Sequence, residues 1–337
     1  MARTSPLPRA PRRSAKSSSI RRPSRRPEFS VVIPIFNEEE TLPVLIGRLK
    51  RVLSEMTPDH EMVFVNDGST DRSPTLLTEF ALADPSIVVL HFTRNFGHQI
   101  AISAGLEHSR GDAVVVMDGD LQDPPEVLPL LLKRLQEGYE VVYAIREKRK
   151  EHLLLRVAYA LFYRILKRFA SIDVPLDAGD FCIMDRKVVD LLSAMPERNR
   201  FVRGIRSWVG FRQVGLAYER SARFAGRPKY TLTRLVALAL DGIISFSHVP
   251  LRFITMLGIS VSALSVILAL FYTVKKLFFS MDPPGFTTLV VAILLLSGLQ
   301  LVTMGVIGEY IGRIADEVKG RPLYVLGAVI RNGKREA

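Results

Sequence analysis

Met117-Asp-Gly-Asp-Leu-Gln-Asp-Pro-Pro125 follows the apolar, β-branched run Asp112-Ala-Val-Val-Val116 and precedes Glu126 to Leu135. The first flank predicts a buried strand and the second a helix. Three carboxylates therefore collect at a strand's end, the edge where ligands bind in open α/β sheets. Asp118 and Asp120, separated by one glycine, are placed to approach a single hard cation, and such a cation also accepts diphosphate oxygens. Asp, Gly and Pro are equally the residues of an ordinary turn, so on this stretch alone a metal site and an acidic turn stand side by side.

Working outward, the same arrangement recurs. Phe29-Ser-Val-Val-Ile-Pro-Ile35 predicts a first buried strand, ending in Phe36-Asn-Glu-Glu-Glu40 and followed by a helical pattern through Leu42, Leu45, Leu49 and Leu53. Pro34 suits a strand's end. Glu61-Met-Val-Phe-Val65 closes on Asn66-Asp-Gly-Ser-Thr-Asp71, a polar segment suited to cap the next helix. Ile87 to Phe92 leads into Thr93-Arg-Asn-Phe-Gly-His98 and a helix to Ser109, and Val141 to Ile145 predicts a further strand. Strands alternating with helices predict an α/β fold with a doubly wound, mostly parallel sheet. Every polar cluster falls after a strand, which argues for one shared site. The chain offers neither Gly-x-Gly-x-x-Gly after the first strand nor a Gly-x-x-x-x-Gly-Lys-Ser/Thr phosphate loop.

The 337 residues divide unevenly. Residues 1–27 hold nine of the Arg and Lys residues, five prolines and no acid, supplying +9 of a net charge of +12. That basic arm has too little apolar surface to fold and lacks the apolar core of a secretory signal. Anionic lipid, nucleic acid and no specific partner are all compatible with it, and so is an organellar transit peptide. The single cysteine, Cys182, rules out an internal disulfide framework and reads as a small core residue. His91, His98 and His248 lack metal-ligand spacing and read as structural.

Between residues 153 and 169 a broad apolar surface is bordered by Arg156, Arg164, Lys167 and Arg168, the pattern of a helix lying in a membrane interface or of one packed on the sheet. Residues 231–250 repeat it more weakly, as a juxtamembrane amphipathic helix. Phe253 to Val274 and Gly285 to Gly308 carry no charge over 22 and 24 residues, each long enough to cross a hydrocarbon core. They predict a transmembrane hairpin spanning about 251–310. Basic residues in the preceding domain and in the tail, 311–337, place both in the cytoplasm by the positive-inside rule.

Taken together, Phe29-Ser-Val-Val-Ile-Pro-Ile-Phe-Asn-Glu-Glu39, Asn66-Asp-Gly-Ser-Thr-Asp71, Arg94-Asn-Phe-Gly97, Asp118-Gly-Asp-Leu-Gln-Asp-Pro-Pro125 and Arg223-Phe-Ala-Gly-Arg-Pro-Lys-Tyr230 resemble the polyprenyl-phosphate glycosyltransferases. These are the dolichol-phosphate mannose synthase-like and bacterial undecaprenyl-phosphate glucosyltransferase-like branch of the inverting family 2 glycosyltransferases. Five motifs in order, with the two-helix anchor and Gly308-Glu-Tyr-Ile-Gly-Arg313, carry the resemblance over residues 28–325.

The resemblance implies a GT-A-type catalytic domain over 28–230, a nucleotide-sugar donor, with a UDP-sugar and above all UDP-glucose favoured, Mg2+ or Mn2+, and a polyprenyl (undecaprenyl) phosphate acceptor. It also implies the bacterial cytoplasmic membrane, homo-oligomers with tetramers among them, and no nucleic-acid partner. By position, Pro34, Glu38, Asp67 and Arg94 resemble the nucleoside contacts, with Asp67 facing the base. Asp118 and Asp120 resemble the residues that meet diphosphate and metal, with Gln122 beside them. Asp180, in Ala178-Gly-Asp-Phe-Cys182, resembles the candidate base or acceptor-orienting carboxylate. Arg200, Arg203, Arg223 and Lys229 are candidates for the acceptor phosphate, which needs cationic donors.

Two departures stand out: Asn66-Asp67 where two aspartates are common, and Arg227-Pro228 where Glu-Ser or similar is common. The first bears on base recognition and the second on acceptor contacts. A processive polysaccharide synthase is disfavoured because the only tryptophan, Trp208, follows Ser207 and not the Gln-x-x-Arg of that class. A catalytically silent scaffold is disfavoured by the intact carboxylate set.

Overall fold

A computed structural model describes residues 27–147, 178–198, 200–219, 249–279 and 285–336. The proposed interface helix, the juxtamembrane helix, the basic arm before residue 27, Arg223 and Lys229 lie outside these described residues.

The sheet-bearing half is built on strand β1 (Phe29–Ile35), buried along its whole length. Chain order continues with α1 (Leu42–Met56), β2 (His60–Asn66), α2 (Ser73–Ala83), β3 (Ile87–Phe92), α3 (His98–His108) and β4 (Ala113–Val116). A 3-10 turn at Pro125–Val127 then leads to α4 (Leu128–Gln136), β5 (Val141–Glu147), β6 (Ala178–Asp185), α5 (Arg186–Ala194), α6 (Val202–Trp208) and β7 (Gln213–Glu219). Strands β3, β2, β1 and β4 form a parallel core, with Val32 opposite both Val63 and Val116. Alternate residues face opposite layers: Val31 and Ile33 pack with α1, α2 and α4, and Val32 with α3, α5 and α6. Covered on both faces, the core strands are continuous apolar runs.

Beyond β4 the sheet becomes mixed. Strand β6 inserts antiparallel between β4 and β5, and β7 pairs parallel with β5 at the edge. On the other side the chain returns from its apolar helices as β8 (Leu326–Arg331) and β9 (Lys334–Glu336), with β8 antiparallel to β3. Tyr324 stacks on Phe92 at 5.1 Å and donates to Glu107 Oε2 at 2.7 Å. Arg331, almost fully buried, lies 3.7 Å from Glu61 and donates to the His108 carbonyl. The segment read as a tail thus completes the sheet.

The apolar helices are α7 (Val249–Phe279) and α8 (Phe286–Val318). Each contains a stretch long and apolar enough to cross a membrane, Ile254–Lys275 and Leu295–Val318. Both helices outrun the charge-free windows. Charge ends an apolar window without ending a helix: beyond Gly308 the Glu309–Arg313 pair, four residues apart, supports the ladder. At its C-terminal end α8 meets the sheet-bearing half, where the Arg198 amide donates to Glu317 Oε1 at 2.8 Å.

Candidate active site

The carboxyl ends of β1, β2, β3 and β4 open onto one edge, and antiparallel β6 begins there. The β4–β6 ladder ends at Val116 with Cys182, and just beyond it His98 Nε2 lies within about 3.5 Å of both Asp118 and Asp180. Asp118 sits in the loop after β4 with its side chain 26% exposed. Burial, with further repulsion from Asp123, Asp180 and Asp120, pushes its carboxyl up to about 6 against the opposing pull of His98. Oδ1 of Asp118 and Oε1 of Gln122 are buried and receive no hydrogen bond. Asp120 Oδ1 accepts from the Gln122 amide at 3.1 Å. Between them, Leu121 is buried at φ 60°, a strained conformation for a bulky side chain. The Asp123 carboxylate accepts from the Tyr218 hydroxyl of β7, tying the loop to the sheet edge.

Asp180 is almost wholly buried and surrounded by donors. Arg203 Nε and Nη2 reach its two oxygens at 2.7 and 3.2 Å, and Gln99 Nε2 donates to Oδ2 at 3.1 Å. Burial alone would raise this carboxyl; the Arg203 charge and the hydrogen bonds from His98 and Arg203 outweigh it and hold it well below the usual carboxylate range. A carboxylate held so acidic is a weak general base. What the arrangement offers is orientation of a cation.

His98 corrects the structural reading of the histidines. Its Nε2 lies 3.5 Å from Asp118 Oδ1 and 3.4 Å from Asp180 Oδ2, joining the two carboxylates. Partial burial would lower the imidazole, but the Asp180 hydrogen bond and both carboxylate charges raise it. α3 delivers His98 and Gln99 because it lies flush on β1: a Cβ on Gly105 would meet Val32 Cγ1 at 2.2 Å.

The loops after β1 and β2 interlock. The Asn37 amide donates to Ser69 Oγ at 3.0 Å, the Thr70 amide to Asn37 Oδ1 at 2.8 Å, and the Glu39 amide to Asp71 Oδ2 at 3.1 Å. Pro34 is buried in the ladder opposite Val65. Glu38 accepts from the Thr41 hydroxyl at 3.1 Å. Asp67, expected to face a base, accepts from the amides of Phe96 at 2.7 Å and Gly97 at 3.0 Å. Its carboxylate thereby holds the Arg94–Gly97 loop, and burial raises it despite those amides. Gly68, at φ 66°, makes the contact possible, since a Cβ there would lie 2.4 Å from the Arg94 carbonyl carbon. Arg94 covers the Phe96 ring at 4.1 Å.

Of the two described acceptor candidates, only Arg203 is brought to Asp180. Arg200 donates to the Leu192 and Met195 carbonyls at 2.9 and 2.5 Å and so closes the C-terminal end of α5. Among the described residues, no three His, Cys, Asp or Glu side chains form a metal cage by themselves. A hard cation of the Mg2+ type instead takes one or two carboxylates and completes its shell with water and phosphate oxygens. Asp118 and Asp120 on one loop, with two buried oxygens lacking donors, fit that role.

This mixed, mostly parallel sheet with acidic loops at its carboxyl edge is an α/β fold of the GT-A kind. The glycosyl transferase family 2 model matches residues 30–192. The chain is 42% identical over 301 residues to the SfII prophage-derived bactoprenol glucosyl transferase of Shigella flexneri, covering 89% of this chain and 97% of that one. It is 47% identical to the uncharacterized glycosyltransferase YkcC of Bacillus subtilis, over 90% and 94% of the two chains. It is 40% identical to the prophage bactoprenol glucosyl transferase homolog of Escherichia coli K12, over 90% and 99%. The chain belongs to glycosyl transferase family 2 and is a glycosyltransferase. Among solved structures it is similar to the mannosyltransferase PcManGT of Pyrobaculum calidifontis, in complex with GDP-Man and Mn2+, at TM-score 0.45 and 17% identity, covering 89% of each chain.

Proposed function

We propose that the chain transfers glucose from UDP-glucose to a polyprenyl phosphate, with inversion, at the cytoplasmic face of a bacterial membrane. The observation that carries this reading is the similarity to the Shigella flexneri bactoprenol glucosyl transferase, whose 301 aligned residues extend past the catalytic half into the apolar helices. A phosphate oxygen of the lipid attacks the anomeric carbon, the bond to the β-phosphate oxygen breaks, and UDP leaves with the electron pair. Asp118 and Asp120 would hold Mg2+ or Mn2+ beside the diphosphate, with Gln122 adjacent. That ion, when bound, supplies Lewis-acid stabilisation of the leaving group's charge.

The lipid monophosphate is already anionic, so no strong base is needed, in keeping with an Asp180 held acidic. Asp180 orients Arg203 toward the acceptor phosphate, and Arg223 and Lys229 add charge to that side. Arg200, engaged with α5, shapes the loop leading to Arg203. Pro34, Glu38 and Arg94 line the nucleoside side, and Asp67 holds its loop as well as facing the base. The return of β8 and β9 to the catalytic sheet supports a hairpin anchor with both ends on one side of the membrane. Oligomers, tetramers among them, remain part of this reading.

The test presents purified full-length chain with a panel of nucleotide sugars, Mn2+ and undecaprenyl phosphate. Lipid-dependent UDP release from UDP-glucose, with a lipid product heavier by one hexose, is expected. Equal release without lipid marks hydrolysis, and preference for another donor overturns the choice of sugar.

A further inference from the structure

Gln99 bridges three elements at the site. It stands in the first turn of α3, next to His98. Its Nε2 donates to Asp180 Oδ2 on β6 at 3.1 Å, and its Oε1 accepts from the Val202 amide at 2.9 Å. Val202 begins α6, the short helix that carries Arg203. The first amides of a helix have no partner within it and are normally satisfied by a side chain at the cap. Here the cap residue is Phe201, which makes no side-chain cap bond. Gln99 supplies from another element what Phe201 lacks.

The two arms of one amide thus fix the distance between the Asp180 carboxylate and the start of α6. Arg203, one residue into that helix, closes the triangle through its 2.7 Å contact with Asp180 Oδ1. An arginine side chain has many rotamers, and a phosphate recognised through its guanidinium requires the fork to be held in one of them. Asp180 holds the Nε edge of the fork, but only if α6 starts in the right place. A mere packing residue at position 99 would need neither arm.

We propose that Gln99 is a positioning residue for the acceptor side of the reaction, setting Arg203 against Asp180 without itself touching donor or metal. This rests on the reading of Arg203 as an acceptor-phosphate contact. Its consequence is selective, because among the described residues the Gln99 side chain bonds only to Asp180 and the Val202 amide, and not to the loops at Asp67 and Asp118.

The experiment uses full-length protein in detergent, titrating undecaprenyl phosphate at saturating UDP-glucose and Mn2+. Replacing Gln99 with Leu, of similar size but without either arm, should raise the acceptor KM about tenfold, the effect of losing roughly one to two buried hydrogen bonds. The kcat should stay within about twofold, and the affinity for UDP in the presence of Mn2+, measured by calorimetry without lipid, should be unchanged. An unchanged acceptor KM in Gln99→Leu, or a loss of UDP affinity equal to the rise in KM, overturns the proposal. Arg203→Ala, run in parallel, separates the two levels. If it raises the acceptor KM and Gln99→Leu does not, only the positioning role fails. If Arg203→Ala itself leaves the acceptor KM at the wild-type value, the acceptor-side reading fails.

Discussion

Replacing Asp118 by Asn should stabilise the metal-free protein while destroying donor binding. The Asp118 carboxyl is raised from its ordinary 3.8 to about 6 by burial and three neighbouring acids. Each tenfold change in acidity is worth about 1.4 kcal/mol, and the two values differ by about two such steps, so ionising Asp118 in the fold costs up to about 3 kcal/mol. Its side chain is 26% exposed, and solvent screening brings the figure nearer to about 2 kcal/mol. A carboxyl raised by folding contributes stability that is present below pH 4 and is lost as pH rises through 6. At pH 7.5 in chelator, Asp118→Asn escapes that loss, and its unfolding midpoint should rise by about 4–8 °C on the usual conversion for a domain of this size. The advantage should shrink as pH falls from 7 toward 4. Saturating Mn2+ and UDP should reverse the order, because a ligand at a hundredfold excess over its Kd adds about 2.7 kcal/mol to the wild type alone. Thermal unfolding in detergent at several pH values, with chelator or with Mn2+ and UDP, measures all three. A variant less stable than wild type at pH 7.5 in chelator refutes the reasoning.

Arg203→Ala leaves Asp180 buried with one fewer cation. Discounted for the one-third exposure of Arg203, the loss should be about 2–4 kcal/mol, read as a lower unfolding midpoint, with Asp180→Asn in the same chain restoring part of it. Gly68→Ala should separate the loops that Asp67 joins, since its Cβ would overlap the Arg94 backbone at a positive φ. UDP affinity should fall at least tenfold while the apolar helices are unaffected, as calorimetry and circular dichroism would report. Arg331→Leu removes the cation beside Glu61 and the donor to the His108 carbonyl. Hydrogen exchange should quicken at the β3–β8 pairing of Leu90 with Val329 before it does in β1.

Strands β1 to β5 were legible because each is a compact apolar run ending in a polar cluster, and the shared edge followed from the alternation with helices. The remaining strands were not. β6 is broken by Gly179 and Asp180, so it reads as a motif, and its antiparallel insertion beside β4 depends on how the chain returns. β9 is Lys-Arg-Glu, whose strand character comes only from pairing with β8. The site divides in the same way. Asp118 and Asp120 announced themselves by residue type and spacing, whereas His98 and Gln99 carry no such pattern. The available signal was their place after Gly97, at the end of the third strand's polar cluster. Asp67 was read for its position, but its hold on the Phe96 and Gly97 amides depends on a close approach at Gly68 that spacing does not report. Arg200 looked like its neighbour Arg203, and only the end of α5 distinguishes them.

The most direct test of the account is transfer of labelled glucose from UDP-glucose to undecaprenyl phosphate by the full-length chain in Mn2+, comparing wild type with Asp120→Asn. The account predicts a glucosylated lipid from the wild type, and a loss of at least about a hundredfold both in Asp120→Asn and in excess chelator. Wild-type turnover by Asp120→Asn, or transfer undiminished by chelator, would contradict it.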